Sequence, residues 1–125
     1  MKKFYAIVLA VGFLTMGAIH VNGSANTEFK QPAFNPVPRD LAVKEGQTAI
    51  WSFGVLGNPE PTIQVLKDGN AIQLNAKYKL SYRNRIVTFQ IIEVYPEDEG
   101  EYTFVLTNIV GMASKTVKLK VLDWN

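Results

Sequence analysis

From Gln47 to Val121 the apolar side chains return at every second residue, and this period constrains the fold more than any other feature of the chain. Ile50, Trp51, Phe53 and Val55 form one run, Ile63 and Val65 a second, and Val87, Phe89 and Ile91 a third. Tyr102, Phe104 and Leu106 follow, then Val117, Leu119 and Val121. A period of 2 puts one face of each run in a core and the other in solvent, as in a half-buried strand. Turn signals separate the runs: Glu45-Gly46, Gly57-Asn58-Pro59-Glu60-Pro61, Lys67-Asp68-Gly69-Asn70, Pro96 to Gly100, and Gly111. Short strands at this spacing, without a good helical stretch, predict an all-β sandwich or barrel. The Pro-rich stretch from Gln31 to Pro38 lacks the amide donors of a central strand and suits a broken edge strand.

The start of the chain has a different character. Lys2 and Lys3 precede Phe4 to Ile19, a stretch without any charge, and small residues follow it. The pattern is that of a secretory signal peptide spanning residues 1–23, with cleavage expected after Gly23 or Ala25. An uncleaved membrane anchor is the alternative. The chain has 13 basic and 11 acidic side chains, one His and no Cys. Lys2, Lys3 and His20 all lie in the leader, so cleavage would leave a neutral domain without His. Such a domain cannot form a Ser-His-Asp or Cys-His nucleophile pair or a zinc site of His and thiolate. We therefore expect no enzyme, no cofactor and no metal. Once cleaved, the protein is expected to be soluble, without stable membrane insertion.

The motifs become specific in combination. Gly46, Gly57-Asn58-Pro59-Glu60-Pro61-Thr62, Lys67-Asp68-Gly69, Asp98-Glu99-Gly100-Glu101-Tyr102 and Asn108-Ile109-Val110-Gly111, in that order, resemble the immunoglobulin I-set family. The resemblance implies an immunoglobulin-like two-sheet Greek-key sandwich over residues 34–122, with an extension at 24–33 and a tail at 123–125. It implies a tyrosine corner built from Asp98, Gly100 and Tyr102, in which the Tyr hydroxyl reaches back to upstream backbone. It also implies that Asn108 and Gly111 build the last hairpin, with Gly at positive φ.

The family hallmark is a disulfide between two strands with a Trp packed over it. The matching positions here are Phe53, Phe104 and Val65. Losing a native disulfide costs roughly 2–5 kcal/mol, whereas burying each Phe contributes about 1.5–3 kcal/mol, so the exchange comes near balance. Trp51 shares the inward face of Phe53 and is expected to fill space that Val65 leaves; the alternative is an outward Trp51 after a bulge.

Surface positions carry the functional expectations. Gln64, Leu66, Thr103, Val105 and Thr107 should face outward on one sheet as a candidate partner face, and Ile50, Ile86 and Ile92 outward on the other. Glu93, Glu97, Asp98, Glu99 and Glu101 lack the ligand pattern of a calcium loop and read as a solvated corner. Lys77, Lys79, Arg83 and Arg85, with Lys115, Lys118 and Lys120, could attract a polyanion; soluble strand edges are the plainer reading. Nucleic acid is not expected, because a neutral domain offers no basic patch interleaved with aromatic residues. Asn22-Gly23-Ser24 is a glycosylation sequon that straddles the expected cleavage site. The expectation is a secreted, single-domain, non-catalytic protein that binds extracellular or cell-surface proteins in adhesion, guidance or receptor organisation. The expected partner is an extracellular or cell-surface protein, of which another immunoglobulin-domain protein is one candidate, and a homodimer is compatible with the same face. The alternative is a structural I-set domain of the intracellular muscle or cytoskeletal type.

Overall fold

The computed structural model describes residues 28–123. The leader, its cleavage sites and the Asn22 sequon lie outside those residues. The chain forms β1 (Lys30–Phe34), β2 (Leu41–Lys44), β3 (Ala49–Asn58), β4 (Thr62–Lys67), β5 (Asn70–Ala71), β6 (Tyr78–Arg83), β7 (Ile86–Ile91), β8 (Gly100–Thr107) and β9 (Met112–Leu122). One sheet has the order β1-β3-β7-β6 and the other β2-β9-β8-β4-β5. All ladders are antiparallel except that of β2 with β9.

The alternation of β3 shows why the sandwich closes. Ala49, Trp51, Phe53 and Val55 are buried while Ile50 and Ser52 are exposed. Tyr102, Phe104 and Leu106 on β8 and Val87, Phe89 and Ile91 on β7 complete the centre of the core. The Phe53 and Phe104 rings meet edge to face at 4.9 Å across the two sheets. Trp51 is 3% exposed. Its ring stacks on Phe89 at 6.1 Å and meets Phe104 edge-on at 5.8 Å. Its indole N–H, which burial would otherwise strand, donates to the Arg39 carbonyl at 2.7 Å. Val65 lines the same core at 5% exposure.

The first sheet begins earlier than the expected boundary at 34. β1 starts at Lys30, inside the stretch expected as an extension, and its ladder with β3 is irregular between Lys30 and Ala33. Pro32 has no N–H, so an edge strand accommodates it where a central one would not. The chain then leaves this sheet and enters the second at Leu41. Gly54 permits the crossing, since a Cβ there would collide with the Asn35 carbonyl oxygen, which lies next to the Asn35 N–H that donates to Gly54 at 2.9 Å.

β6 is amphipathic in the same way as the runs read from sequence. Tyr78, Leu80 and Tyr82 pack on the core, and Lys79, Ser81 and Arg83 are exposed. The Tyr82 hydroxyl donates to the Pro61 carbonyl at 2.6 Å and ties β6 to the β3–β4 turn. Burial, reinforced by Glu60, pushes the Tyr82 phenol up to about 12.

Two outcomes follow from this packing. Phe53→Ala or Phe104→Ala should lower stability by about 3–5 kcal/mol, read from urea melts, because neighbouring rings cannot collapse into the space left. Tyr82 holds its proton more tightly in the folded state than in the unfolded one, so its contribution is complete below pH ~10. The stability advantage of the wild type over Tyr82→Phe should stay constant below that pH and shrink as pH rises toward 12, measured by the same melts.

Candidate functional site

The corner between β7 and β8 is held by Tyr102 and Asp98, four positions apart, and by Lys77, just before β6. The Tyr102 hydroxyl donates to the Asp98 carbonyl at 2.6 Å. The Asp98 carboxylate accepts the Tyr95 N–H at 2.7 Å and pairs with Lys77 Nζ at 2.9 Å. Lys77 Nζ also donates to the Glu93 carbonyl at 2.7 Å and lies 5.2 Å from the centre of the Tyr95 ring. Asp98 is 4% exposed, which corrects the reading of all five acids as a solvated corner. A buried carboxylate is tolerable because Lys77 and a backbone donor reach it. Burial, with the charges of Asp98 and Asp68 behind it, raises the Tyr102 phenol far above its ordinary range. Gly100 has φ +155 and faces the Asp68 carboxylate, which a Cβ would strike. That carboxylate accepts the Glu101 N–H at 2.9 Å and joins the corner to the β4–β5 turn. These groups are occupied with the fold, and among the described residues no cluster of three or more His, Cys, Asp or Glu forms a metal site.

The last hairpin is organised by a side chain rather than by glycine. Gly111 does not have positive φ, contrary to the expectation. Asn108 Oδ1 accepts the N–H groups of Val110 and Gly111, and its Nδ2 donates to the carbonyls of Lys30 and Pro59. One amide thus closes the turn and anchors it to β1 and to the β3–β4 connection.

The basic residues do not assemble into a stripe. Lys77 is engaged in the corner, and Arg85 donates to the Gly57 carbonyl at 2.8 Å. Lys118 lies directly across from Glu101. Lys79 and Arg83 remain on the exposed face of β6.

Cross-strand register brings the five expected partner-face residues together on the outside of the five-stranded sheet. Thr116, Thr103 and Leu66 form one row, Ser114, Val105 and Gln64 the next, and Met112, Thr107 and Thr62 the third. Gln64 and Thr107 are exposed, whereas Leu66, Thr103 and Val105 are half-buried. The hydroxyls of Thr103 and Thr116 bond to each other at 2.8 Å. None of the nine side chains is charged. On the other sheet Ile50 and Ile86 point outward as expected, but Ile92 lies beyond the end of β7 and is half-buried.

Comparisons with known proteins agree with this architecture. The family model of the immunoglobulin I-set domain matches residues 32–121. The chain is 32% identical over 102 residues to the CAVP-target protein of Branchiostoma lanceolatum, covering 81% of this chain and 42% of that one. It is 31% identical over 90 residues to the smooth-muscle myosin light chain kinase of Gallus gallus, covering 72% of this chain and 5% of that one. The structure of titin domains Z1Z2 in complex with telethonin superposes with a TM-score of 0.73 at 31% identity, covering 77% of this chain and 49% of that one. The chain therefore spans less than half the length of these relatives. The kinase and titin are intracellular muscle proteins, which overturns the expectation of a secreted protein with an extracellular or cell-surface partner. The muscle and cytoskeletal alternative is the reading they favour. With two sheets in this order, a tyrosine corner and a model match over most of the described residues, the chain belongs to the immunoglobulin I-set family, as a member without the inter-sheet disulfide.

Proposed function

We propose that the chain is an I-set module of the muscle or cytoskeletal type that acts by docking a protein, without a catalytic step, through the outer face of its five-stranded sheet. The uncharged character of that face carries the reading. In a chain with 19% charged residues, three successive rows of outward side chains contain none. Desolvating such a surface on contact strands no charge, and Leu66 and Val105 supply apolar area at its centre. The hydroxyl and amide groups around them can bond across an interface without demanding one charge sign from the partner. Immunoglobulin domains of this family do bind proteins, as titin Z1Z2 does telethonin. Phe53, Phe104, Val65 and Trp51 take the place of the disulfide and its Trp in this reading, and leave the sheet faces free for docking.

The full chain, fused to a fluorescent protein and expressed in muscle cells, should decorate contractile or cytoskeletal structures. Leu66→Asp combined with Val105→Lys should leave it diffuse while its melting curve stays near that of the wild type, because both side chains are only half-buried. An unchanged pattern in the double variant would move the interface elsewhere, and recovery of the protein in the medium would refute the intracellular assignment. Sedimentation of the purified chain separates a second copy from a foreign partner on the same face.

A further inference from the structure

The two faces of the sandwich differ in charge. The outer face of the five-stranded sheet is neutral through three rows, whereas that of the four-stranded sheet carries cations and no carboxylate. Register sets Ile50, Gln90 and Lys79 in one outward row of the four-stranded sheet, and Gly54, Ile86 and Arg83 in another. Leu56 continues the line of Gly54 along β3. Ile50, Leu56 and Ile86 are each about half exposed. The core is supplied by the inward residues of these strands, so the outward aliphatic groups are left to water. Arg83 is the direct cross-strand neighbour of Ile86, and Lys79 ends the row of Ile50. Neither cation makes an ion pair or side-chain hydrogen bond with a described residue. Four residues apart on one strand, they stand roughly 13 Å from each other along β6.

The placement of the apolar groups decides what can cover such a face. Protein interfaces concentrate their anchors at the centre of the buried patch, packed into a complementary surface. Leu66 and Val105 hold that position on the opposite face. Here the row between Ile50 and Ile86 is Ser52, Thr88 and Ser81, and the Ser52 and Thr88 hydroxyls meet at 3.5 Å. The aliphatic side chains lie to either side of this polar row, Ile50 in line with Lys79 and Ile86 beside Arg83. A lipid surface is fluid and has no fixed shape to match. Separated aliphatic groups enter the boundary between headgroups and acyl chains, while Lys and Arg meet the phosphates above them. Negative charge on the bilayer complements a face from which no carboxylate repels it.

We propose that the outer face of the four-stranded sheet lies on an anionic lipid bilayer, with Lys79 and Arg83 at the headgroup phosphates and Ile50, Leu56 and Ile86 in the boundary beneath. The five-stranded sheet then points away from the bilayer and stays open, so that the domain can hold a protein partner at a membrane surface. The lipid contact stands without the partner-face reading, since the two sheets share no residue.

The test uses the full chain, labelled with nitrogen-15, on bicelles of phosphatidylcholine with and without phosphatidylserine, doped with a lipid that has a paramagnetic headgroup. Residues 4–19 carry no charge and would partition into either bilayer, so the contact is read from which amides broaden. With phosphatidylserine present, the amides of Ser52, Ile86 and Thr88 should broaden while those of Val105 and Thr116 stay sharp. Each cation neutralised, by Lys79→Gln or Arg83→Gln, should lower the preference for phosphatidylserine vesicles over phosphatidylcholine vesicles about fivefold. Ile50→Ser combined with Ile86→Ser should weaken the broadening and leave the salt dependence of that preference unchanged. Leu66→Asp with Val105→Lys should leave the broadening in place, which separates the failure of this site from failure of the partner face. Broadening of Val105 and Thr116 in place of Ser52 and Thr88, or an unchanged lipid preference without both cations, would overturn the site. Equal shifts of the same amides by soluble glycerophosphoserine would overturn the bilayer as its occupant. Lys79, Arg83, Ile50 and Ile86 are exposed, so these variants should keep the fold, which urea melts report.

Discussion

Two sheets without a covalent link stay together only while the side chains between them exclude water, and in this chain that closure centres on the meeting of Phe53 and Phe104. The rings come from the central strands of opposite sheets, β3 and β8, so each reinforces the other and both fix the spacing of the layers. Trp51 and Phe89 extend the cluster along β3 and β7, and Phe34 closes on Phe53 at 5.3 Å from the edge strand. Edge-to-face geometry adds roughly 0.5–1.5 kcal/mol per pair beyond area burial. It also specifies orientation, which an aliphatic core of similar volume would leave looser. Everything at the surface inherits its position from this contact.

The charged residues divide into those that maintain the fold and those left over for contacts. Lys77 and Asp98 are spent on the corner, Asp68 on the turn beside Gly100, Arg85 on the end of β3 and Asp40 on the edge of β9. Such uses are short-range and geometric, and they explain why a chain rich in acids near residues 93–101 has no candidate carboxylate chemistry there. What remains includes a neutral sheet face and several exposed lysines, Lys79 and Lys115 among them, that make no ion pair among the described residues. Such surfaces suit the docking role proposed above, and the muscle relatives favour the intracellular alternative over secretion.

Much of the fold was legible in the sequence because alternation is a local property. Ser52, between Trp51 and Phe53, must face away from them whatever strand lies alongside, so β3, β4, β7, β8 and β9 could be read from their apolar residues. β6 carries the same signal in Tyr78, Leu80 and Tyr82, but the charges of Lys79 and Arg83 between them and the only partial burial of those positions make it weaker. β5, only Asn70–Ala71, is too short to show a period, whereas β1 falls in the Pro-rich stretch that reads as a broken edge strand. The partner-face residues could be named because they are the complements of inward positions. The leader pattern, by contrast, suggested secretion, which the intracellular muscle relatives overturn.

By itself the sequence determined the strand period and the turns, which depend on residues within a few positions of one another, and the family, which depends on the order of such local motifs along the chain. The tertiary structure alone decided which charges are buried and which share a face with apolar side chains. Asp98 meets Lys77 across 21 positions, and Lys79 joins the row of Ile50 only when the strands are ordered in the sheet. An ion pair or a row across a sheet is a relation between segments, and a chain written in one dimension does not contain the distance between them.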